Sequence, residues 1–196
     1  MTKIAIVYHS GYGHTAKVAE HVRIGAASAD GAEVTLYKAD DLTSPESGPW
    51  DELAAADAII FGAPTYMGSA SAVFKQFQDA SSKVWFTHAW KDKIAAGFTN
   101  SGSLYGDKSS TLQQFSTLAA QHGMVWVGTG MMPGYNASTK DINAVHNRAS
   151  FTLGLGVQSL TDLPAEQTPD RFDLETAEMF GKRVADATLR WVRGKT

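Results

Sequence analysis

Five short runs of β-forming residues, separated by longer helical or irregular segments, constrain the fold of this chain more than any other feature. They cover residues 3–9, 33–38, 57–63, 94–99 and 124–128. The first, third and fourth runs are nearly continuous in apolar residues, which is typical of strands covered on both faces. Strands that alternate with crossover helices build a parallel sheet. The sequence therefore predicts an α/β fold with a five-stranded, doubly wound parallel sheet and helices on both faces.

Five other segments have the periodicity or the composition of helices. They cover residues 14–27, 50–55, 70–81, 109–122 and 174–192. The last segment has apolar residues at intervals of three and four, which is the spacing of one helix face: Ala177, Phe180, Val184, Ala187 and Trp191. We expect this helix to pack its apolar stripe against the sheet.

A single domain, residues 1–196, accounts for the whole chain, because 196 residues that are 43% hydrophobic can form one well-buried core. The formal net charge of -3 offers no electrostatic attraction for nucleic acid or anionic lipid. The first residues lead into a short strand instead of a signal-peptide core, and no stretch approaches the roughly 20 apolar residues of a membrane span. We expect a cytoplasmic protein with no nucleic-acid or membrane partner.

The chain contains no cysteine, which excludes disulfides, thiolate catalysis and cysteine-ligated metal sites. The six histidines lack the close spacing with carboxylates that a metal centre requires, so no metal site is predicted. Any redox chemistry must therefore come from a bound cofactor.

Residues 131–168 form a long segment with three glycines, two prolines and little periodicity. A stretch of 38 residues is too long for an ordinary connection in a compact domain. We therefore expect this segment to be a functional excursion close to the site.

The loop between the first strand and the first helix, residues 9–15, has the features of a phosphate site. A helix N-terminus presents unpaired N–H groups and a partial positive charge, so it binds phosphate without Lys or Arg. Ser10 and Thr15 add hydroxyl donors, while Gly11 and Gly13 allow a tight turn and a close approach of the backbone. The loop predicts binding of a phosphate monoester.

Other phosphate-loop patterns match this segment less well. A Walker A loop requires G-x-x-x-x-G-K-[ST], and its Lys and following hydroxyl are missing here. Residues 11–16 match the dinucleotide pattern G-x-G-x-x-[GA], but a short-chain dehydrogenase also needs a Tyr-x-x-x-Lys pair. Tyr135 and Lys140 are five residues apart, which is the wrong spacing. A glycine turn that merely joins strand to helix is the remaining structural alternative.

Two further loops follow the third and fourth strands. Residues 61–68 read FGAPTYMG, and residues 99–106 read TNSGSLYG. The carboxyl ends of parallel strands meet at one edge of the sheet, where ligands bind at the point of strand-order reversal. We expect these loops to share one crevice with the first.

Four motifs occur in order: S-x-Y-G-H-T at residues 10–15, G-x-P-T-x-x-G at 62–68, the Ser/Gly-rich loop after the fourth strand, and H-G-M at 122–124. Together they resemble the WrbA-type branch of the flavodoxin-like NAD(P)H:quinone oxidoreductases. The resemblance runs from the first strand to about Val127. It implies a flavodoxin-like fold with strand order 2-1-3-4-5 and one FMN bound without a covalent link.

The resemblance also implies roles for individual residues. The FMN phosphate would be held by Ser10, Gly11, Tyr12, Gly13, His14 and Thr15. One edge of the isoalloxazine ring would follow Pro64, Thr65, Tyr66, Met67 and Gly68. Its pyrimidine side would lie against Asn100, Ser101, Gly102, Ser103, Leu104 and Tyr105. His122 would stand near the ring and act in catalysis with Tyr105, and Tyr12 with Trp85 would line the pocket for nicotinamide and acceptor.

The implied activity is two-electron transfer from NADH or NADPH, by way of FMN, to a quinone or a similar small acceptor. An electron-carrier flavodoxin and a non-catalytic FMN-binding regulatory protein are the alternatives. Carriers tend to be strongly acidic for docking, so the nearly balanced charge of this chain favours the oxidoreductase.

The chain departs from the WrbA-type pattern in two places. The connection between the second and third strands, residues 39–56, is shorter than in typical WrbA-type proteins, which carry an insertion there that is associated with tetramer formation. Residues 151–156 read FTLGLG, where those proteins have a G-x-x-Y-G-A segment. The aromatic residues Trp85, Phe86 and Trp90 stand in a polar stretch and predict a partner surface. We expect a homodimer, with a tetramer as the alternative.

Overall fold

The computed structural model describes residues 1–194; the last two residues of the predicted domain, 195 and 196, lie outside the described residues. Its centre is a parallel sheet whose strands are β1 (Thr2–Tyr8), β2 (Ala32–Lys38), β3 (Ala58–Tyr66), β5 (Ile94–Ser101) and β6 (Val125–Trp126). They lie in the order β2-β1-β3-β5-β6. The two-residue strand β4 (Ser69–Ala70) pairs antiparallel with the end of β3. The predicted flavodoxin-like order is confirmed, with β5 and β6 as the fourth and fifth predicted strands.

Helices cover both faces of the sheet, as predicted. On one face lie α1 (His14–Ala27) and α6 (Arg171–Arg193). On the other lie α2 (Trp50–Ala55), α3 (Ala72–Ala80), α4 (Ser82–Phe86) and α5 (Lys108–Gln121). Because side chains alternate along a strand, Ile4 and Ile6 of β1 join the apolar core under α1 and α6, which we call the first core. Ala5 and Val7 join the second core, under α2, α3 and α5. Both faces of β1 are therefore buried, as its apolar run predicts.

The fifth position of the sheet is occupied by two separate pieces of chain. Strand β6 pairs with the start of β5, and β7 (Leu155–Gln158) pairs with its end. The predicted strand 124–128 is therefore too long, because β6 ends at Trp126. Beyond that point Thr129 donates its N–H to Thr152 O at 3.0 Å, so the departing arm pairs with the returning arm instead of β5. Residues 127–154 form an excursion from the sheet.

The N-terminal part of α6 anchors this excursion. Arg148 donates from Nε and Nη2 to the two carboxylate oxygens of Asp173, at 3.1 and 2.7 Å. Asp173 Oδ2 also accepts from the N–H of Gln158 in β7, at 2.9 Å. Asp170 caps α6 by accepting from the N–H of Asp173. This network joins the excursion, β7 and α6, which is why a segment with little periodicity has a defined path.

The predicted exposure of Trp90 is wrong. Its side chain is fully buried, with the rings of Trp50 and Phe77 centred 6.3 and 6.2 Å away. The polar stretch around it folds over the end of the second core, and that contact depends on residues distant in sequence. Phe86, in contrast, is 78% exposed. None of the helices in residues 1–194 is long and apolar enough to cross a membrane.

Candidate functional site

A cavity of about 800 Å³ opens at the carboxyl ends of β1, β3 and β5. The strand order reverses between β1 and β3, which is where ligands bind in open α/β sheets. All three predicted loops reach this cavity. It is lined by Tyr12, His14, Thr15, Pro64, Thr65, Tyr66, Met67, Asn100, Ser101, Gly102, Ser159, Thr161, Leu163 and Pro164.

The first loop has the geometry of an anion cradle. Gly13 precedes α1 with φ 86°, a conformation that glycine adopts without strain. The hydroxyl of Ser10 accepts from the N–H of Ala16 at 3.1 Å, while the N–H groups of His14 and Thr15 begin the helix and have no partner within it. The first turn of α1 contains no acidic residue. The N-terminus of α1 is therefore ready to bind a phosphate.

Tight packing beside this loop keeps side chains out of it. A Cβ atom at Gly11 would lie 2.8 Å from the hydroxyl oxygen of Tyr66. The rings of Tyr12 and Tyr66 meet edge to face, with centroids 6.3 Å apart. Desolvation, with a smaller contribution from Tyr12, raises the pKa of Tyr66, so its hydroxyl keeps its proton at neutral pH. The cradle is therefore made of backbone with aromatic rings at its edge.

A chain of hydrogen bonds joins the three sides of the cavity. The hydroxyl of Thr15 donates to Asn100 Oδ1 at 2.5 Å, and Asn100 Nδ2 donates to Ser159 Oγ at 3.1 Å. All three residues are buried. Buried polar groups that lack partners are costly, so these bonds hold the α1, β5 and β7 ends in one arrangement.

The second loop is a hairpin between β3 and β4. At its base the hydroxyl of Thr65 lies 2.8 Å from the hydroxyls of both Thr99 and Thr111. At its tip Met67 has φ 48° and a fully exposed side chain. Ser110 donates its hydroxyl hydrogen to Gly68 O. The hairpin is thus fixed at both ends and presents an apolar tip beside the cavity.

The third loop contributes less of its length than predicted. Ser101 and Gly102 line the cavity, whereas Ser103, Leu104 and Tyr105 do not. Tyr105 is 60% exposed, and its ring stacks on Phe151 of the excursion at a centroid distance of 6.1 Å. In this arrangement Tyr105 does not line the cavity, and its catalytic role stays a prediction.

The cavity has a fourth wall that the residue-level predictions missed. Ser159, Thr161, Leu163 and Pro164 belong to a segment that we call the strap, residues 159–166. His14 Nε2 lies 2.9 Å from Leu163 O, and Lys17 Nζ donates to Glu166 O at 3.0 Å. The unusual length of residues 131–168 was the only sequence signal for this wall. The C-terminal part of that predicted segment, which contains the strap, does reach the site.

Within this chain His122 and Trp85 do not line the cavity, so their roles in the site stay predictions. His122 follows α5, which begins at the cavity and runs away from it for 14 residues, about 21 Å. Its ring is buried against Trp90, with centroids 4.4 Å apart, and Nε2 lies 2.9 Å from Ser81 Oγ. Trp85 lies on α4 and packs on Phe86. The H-G-M motif drew attention to His122, but the direction of α5 places it toward the opposite end of the sheet.

Acid is expected to destabilise the protein through His122. Burial, with a smaller contribution from His88, lowers the pKa of His122 to about 4, whereas an unfolded chain has a value of about 6.5. The neutral ring therefore stabilises the folded state above pH 6.5, and this contribution is lost as the pH falls toward 4. Between pH 7 and pH 5 the free energy of unfolding should fall by about 2 kcal/mol through this residue.

Urea unfolding at the two pH values measures this effect. In a His122→Gln variant the loss between pH 7 and pH 5 should be smaller by about 2 kcal/mol, because glutamine does not titrate. The exposed His88→Gln variant is the control, and it should retain most of the loss. An equal loss in wild type and His122→Gln would contradict the prediction.

The described residues include no group of three or more His, Cys, Asp or Glu side chains that could hold a metal ion. The sheet order, the anion cradle at the first crossover and the cavity at the strand-order reversal together define a flavodoxin-like protein. The chain belongs to the NADPH-dependent FMN reductase family, whose model matches residues 2–137, and thus to a family of FMN-binding oxidoreductases.

Comparison with individual proteins agrees with this family. The chain is 43% identical over 185 residues to flavodoxin FldP of Pseudomonas aeruginosa, covering 94% of this chain and 96% of that protein. It is 41% identical to a solved structure described as a flavodoxin, WrbA-like protein, from Agrobacterium tumefaciens, with a TM-score of 0.74 and coverage of 97% and 99%. Flavodoxin 2 of Bacillus cereus, 21% identical over 95% and 99% of the two chains with a TM-score of 0.66, shares the fold.

Proposed function

We propose that this protein is an FMN-dependent oxidoreductase that transfers two electrons from NADH or NADPH to a quinone or a similar small acceptor. The observation that carries the proposal is the anion cradle at the N-terminus of α1, which opens directly into the cavity between the second and third loops. The resemblance to the WrbA-type branch supports the choice of acceptor, as does the similarity to a WrbA-like protein.

The residues present fit FMN. The N–H groups of His14 and Thr15, with the hydroxyl of Ser10, would hold the phosphate, and no carboxylate in the first turn of α1 would repel it. The hairpin residues 64–68 and the loop residues Asn100–Gly102 would lie along the ring system. Bound FMN would supply the redox chemistry, and the protein would provide binding and orientation.

The remaining residues would shape the space above the ring. Tyr12 is 79% exposed and Tyr66 is 39% exposed at the mouth of the cavity, so their faces are free for a second planar molecule. The strap would exclude water from the phosphate side. The donor and the acceptor would then occupy the same open space in turn.

We also propose a homodimer, based on the exposed rings of Trp85 and Phe86 on α4. If this surface is the interface, Phe86→Ser should halve the mass measured by light scattering. The equally exposed Met132 provides the control variant Met132→Ser, which should leave the mass unchanged. A dimeric mass that survives Phe86→Ser, or a monomeric wild type, would contradict the proposal.

An electron-carrier flavodoxin is the second candidate. The observation that favours it is the 43% identity to a protein named flavodoxin. A carrier would exchange single electrons with a protein partner and would not react directly with a nicotinamide nucleotide.

Anaerobic stopped-flow absorbance of the FMN-loaded protein distinguishes the two. Mixing with NADH or NADPH should bleach the flavin band within seconds, and benzoquinone should restore it completely. Tight FMN binding without reduction by either nucleotide would favour the carrier, and failure to bind FMN would overturn both candidates. The same mixing with free FMN in place of the holoprotein is the control for direct reaction with the nucleotide.

A further inference from the structure

Lys108 is buried in a place that is unfavourable for a cation. It is the first residue of α5, and its side chain is completely inaccessible to solvent. Lysine is rarely fully buried unless it is paired, and a helix N-terminus carries partial positive charge that disfavours a second one. Desolvation lowers the pKa of Lys108 to about 8. A group held at such a free-energy cost calls for a specific role.

The ammonium group of Lys108 lies directly behind the wall of the cavity. Its Nζ donates to Ser101 Oγ at 2.8 Å and to Ser103 O at 2.7 Å. Ser101 lines the cavity and donates its own hydroxyl hydrogen to Ser103 O at 3.2 Å. One hydroxyl group therefore separates the cation from the cavity, and the loop conformation depends on the cation.

The charge of Lys108 is not neutralised by a close carboxylate. The charged groups that face it are Asp173 of α6 and Arg148 of the excursion. Both carboxylate oxygens of Asp173 already accept from Arg148. Among residues 1–194, no carboxylate forms an ion pair with Lys108. Its remaining neighbour is the ring of Phe151, 5.7 Å from Nζ. The positive charge of Lys108 therefore acts on the cavity, through Ser101, without a carboxylate in direct contact with it.

We propose that Lys108 is a positioning residue that, through Ser101, makes the site bind reduced FMN more tightly relative to oxidised FMN. This inference rests on the proposed function, because it assumes that FMN occupies the cavity beside Ser101. Reduction of a flavin adds negative charge to its pyrimidine side. A desolvated cation held one hydroxyl away stabilises that charge, since screening by water is weak there.

The test compares wild type with Lys108→Met, which retains the length and removes the charge. Apoprotein titration gives the Kd for oxidised FMN, and the midpoint potentials of bound and free FMN then give the Kd for reduced FMN. The ratio of the affinity for reduced FMN to that for oxidised FMN should fall at least tenfold in the variant. For a two-electron couple this is a lowering of the midpoint potential by about 30 mV.

Two controls separate this role from general effects of charge or folding. Lys182→Met removes an exposed lysine of α6 and should leave the ratio unchanged. Lys108→Arg retains the charge and should keep the ratio within about threefold of wild type. The wild type alone offers a further readout: its ratio of affinity for reduced FMN to that for oxidised FMN should fall as the pH rises through 8, where Lys108 loses its charge.

The outcomes also separate this inference from the proposed function. An unchanged ratio in a folded Lys108→Met protein that binds FMN would overturn the role of Lys108 alone. If Lys108→Met does not fold, a wild-type ratio that stays constant across pH 8 would do the same. Apoprotein with no affinity for FMN would overturn both the proposed function and this inference.

Discussion

Replacing Gly13 by aspartate is expected to weaken FMN binding about a thousandfold, which corresponds to roughly 4 kcal/mol. Gly13 has φ 86° and stands directly before the first amides of α1. A Cβ atom at Gly13 would lie 3.2 Å from Ala165 Cβ of the strap. A carboxylate on it would add negative charge one residue before the amides that would hold the phosphate, and like charges repel. The strained backbone would also misalign N–H donors, whose hydrogen bonds to a charged group contribute about 1.5–3 kcal/mol each.

Titration of the apoprotein with FMN and with riboflavin measures this effect. Riboflavin has no phosphate, so its affinity should change less than about tenfold, far less than the loss expected for FMN. Gly31→Asp is the matched control, because Gly31 has φ 87° in the turn between α1 and β2, at the other end of the sheet. Equal losses for FMN and riboflavin, or an equal loss in the control, would contradict the phosphate site.

Replacing Gly25 by valine is expected to abolish the folded state, with a loss of more than about 5 kcal/mol in the free energy of unfolding. Helix α1 crosses α6 here in direct backbone contact. A Cβ atom at Gly25 would lie 1.9 Å from Glu178 O, and one at Gly181 would lie 2.0 Å from Val22 O. Neither neighbour is a side chain that can turn aside, so the two helices would have to separate.

Separation of these helices would expose the apolar residues beneath them, including the buried Val22 and Phe180. Urea unfolding followed by far-UV circular dichroism measures the change. Ala27→Val is the control, because it adds two methyl groups at an exposed position of the same helix and should cost less than about 1 kcal/mol. A cooperative transition of Gly25→Val within 1 kcal/mol of wild type would refute the tight crossing.

The strands and the first two loops could be predicted because their signals are local. The apolar runs that became β1, β3 and β5 are buried on both faces, and a strand of that kind needs no distant partner to be recognised. Gly13 before His14 likewise marks a helix N-terminus in the sequence itself. The resemblance then placed Thr65 and Asn100 at the same cavity, where the structure also has them.

The expectations that the structure of this chain does not reproduce have a common physical cause, which is contact between residues distant in sequence. Trp90 stands in a polar stretch, yet it is buried because Trp50 and Phe77 from other helices cover it. His122 belongs to a matching motif, but the direction of α5 carries it away from the cavity. No local pattern reports on either contact.

The sequence by itself determined the alternation of strands and helices, the parallel sheet and the anion cradle, because propensity and periodicity act over a few neighbouring residues. Only the tertiary structure decided how residues 127–154 leave and re-enter the fifth position of the sheet. The same holds for the strap over His14 and for the burial of Lys108 behind Ser101. Each of these depends on hydrogen bonds and packing between segments that meet only after the chain has folded.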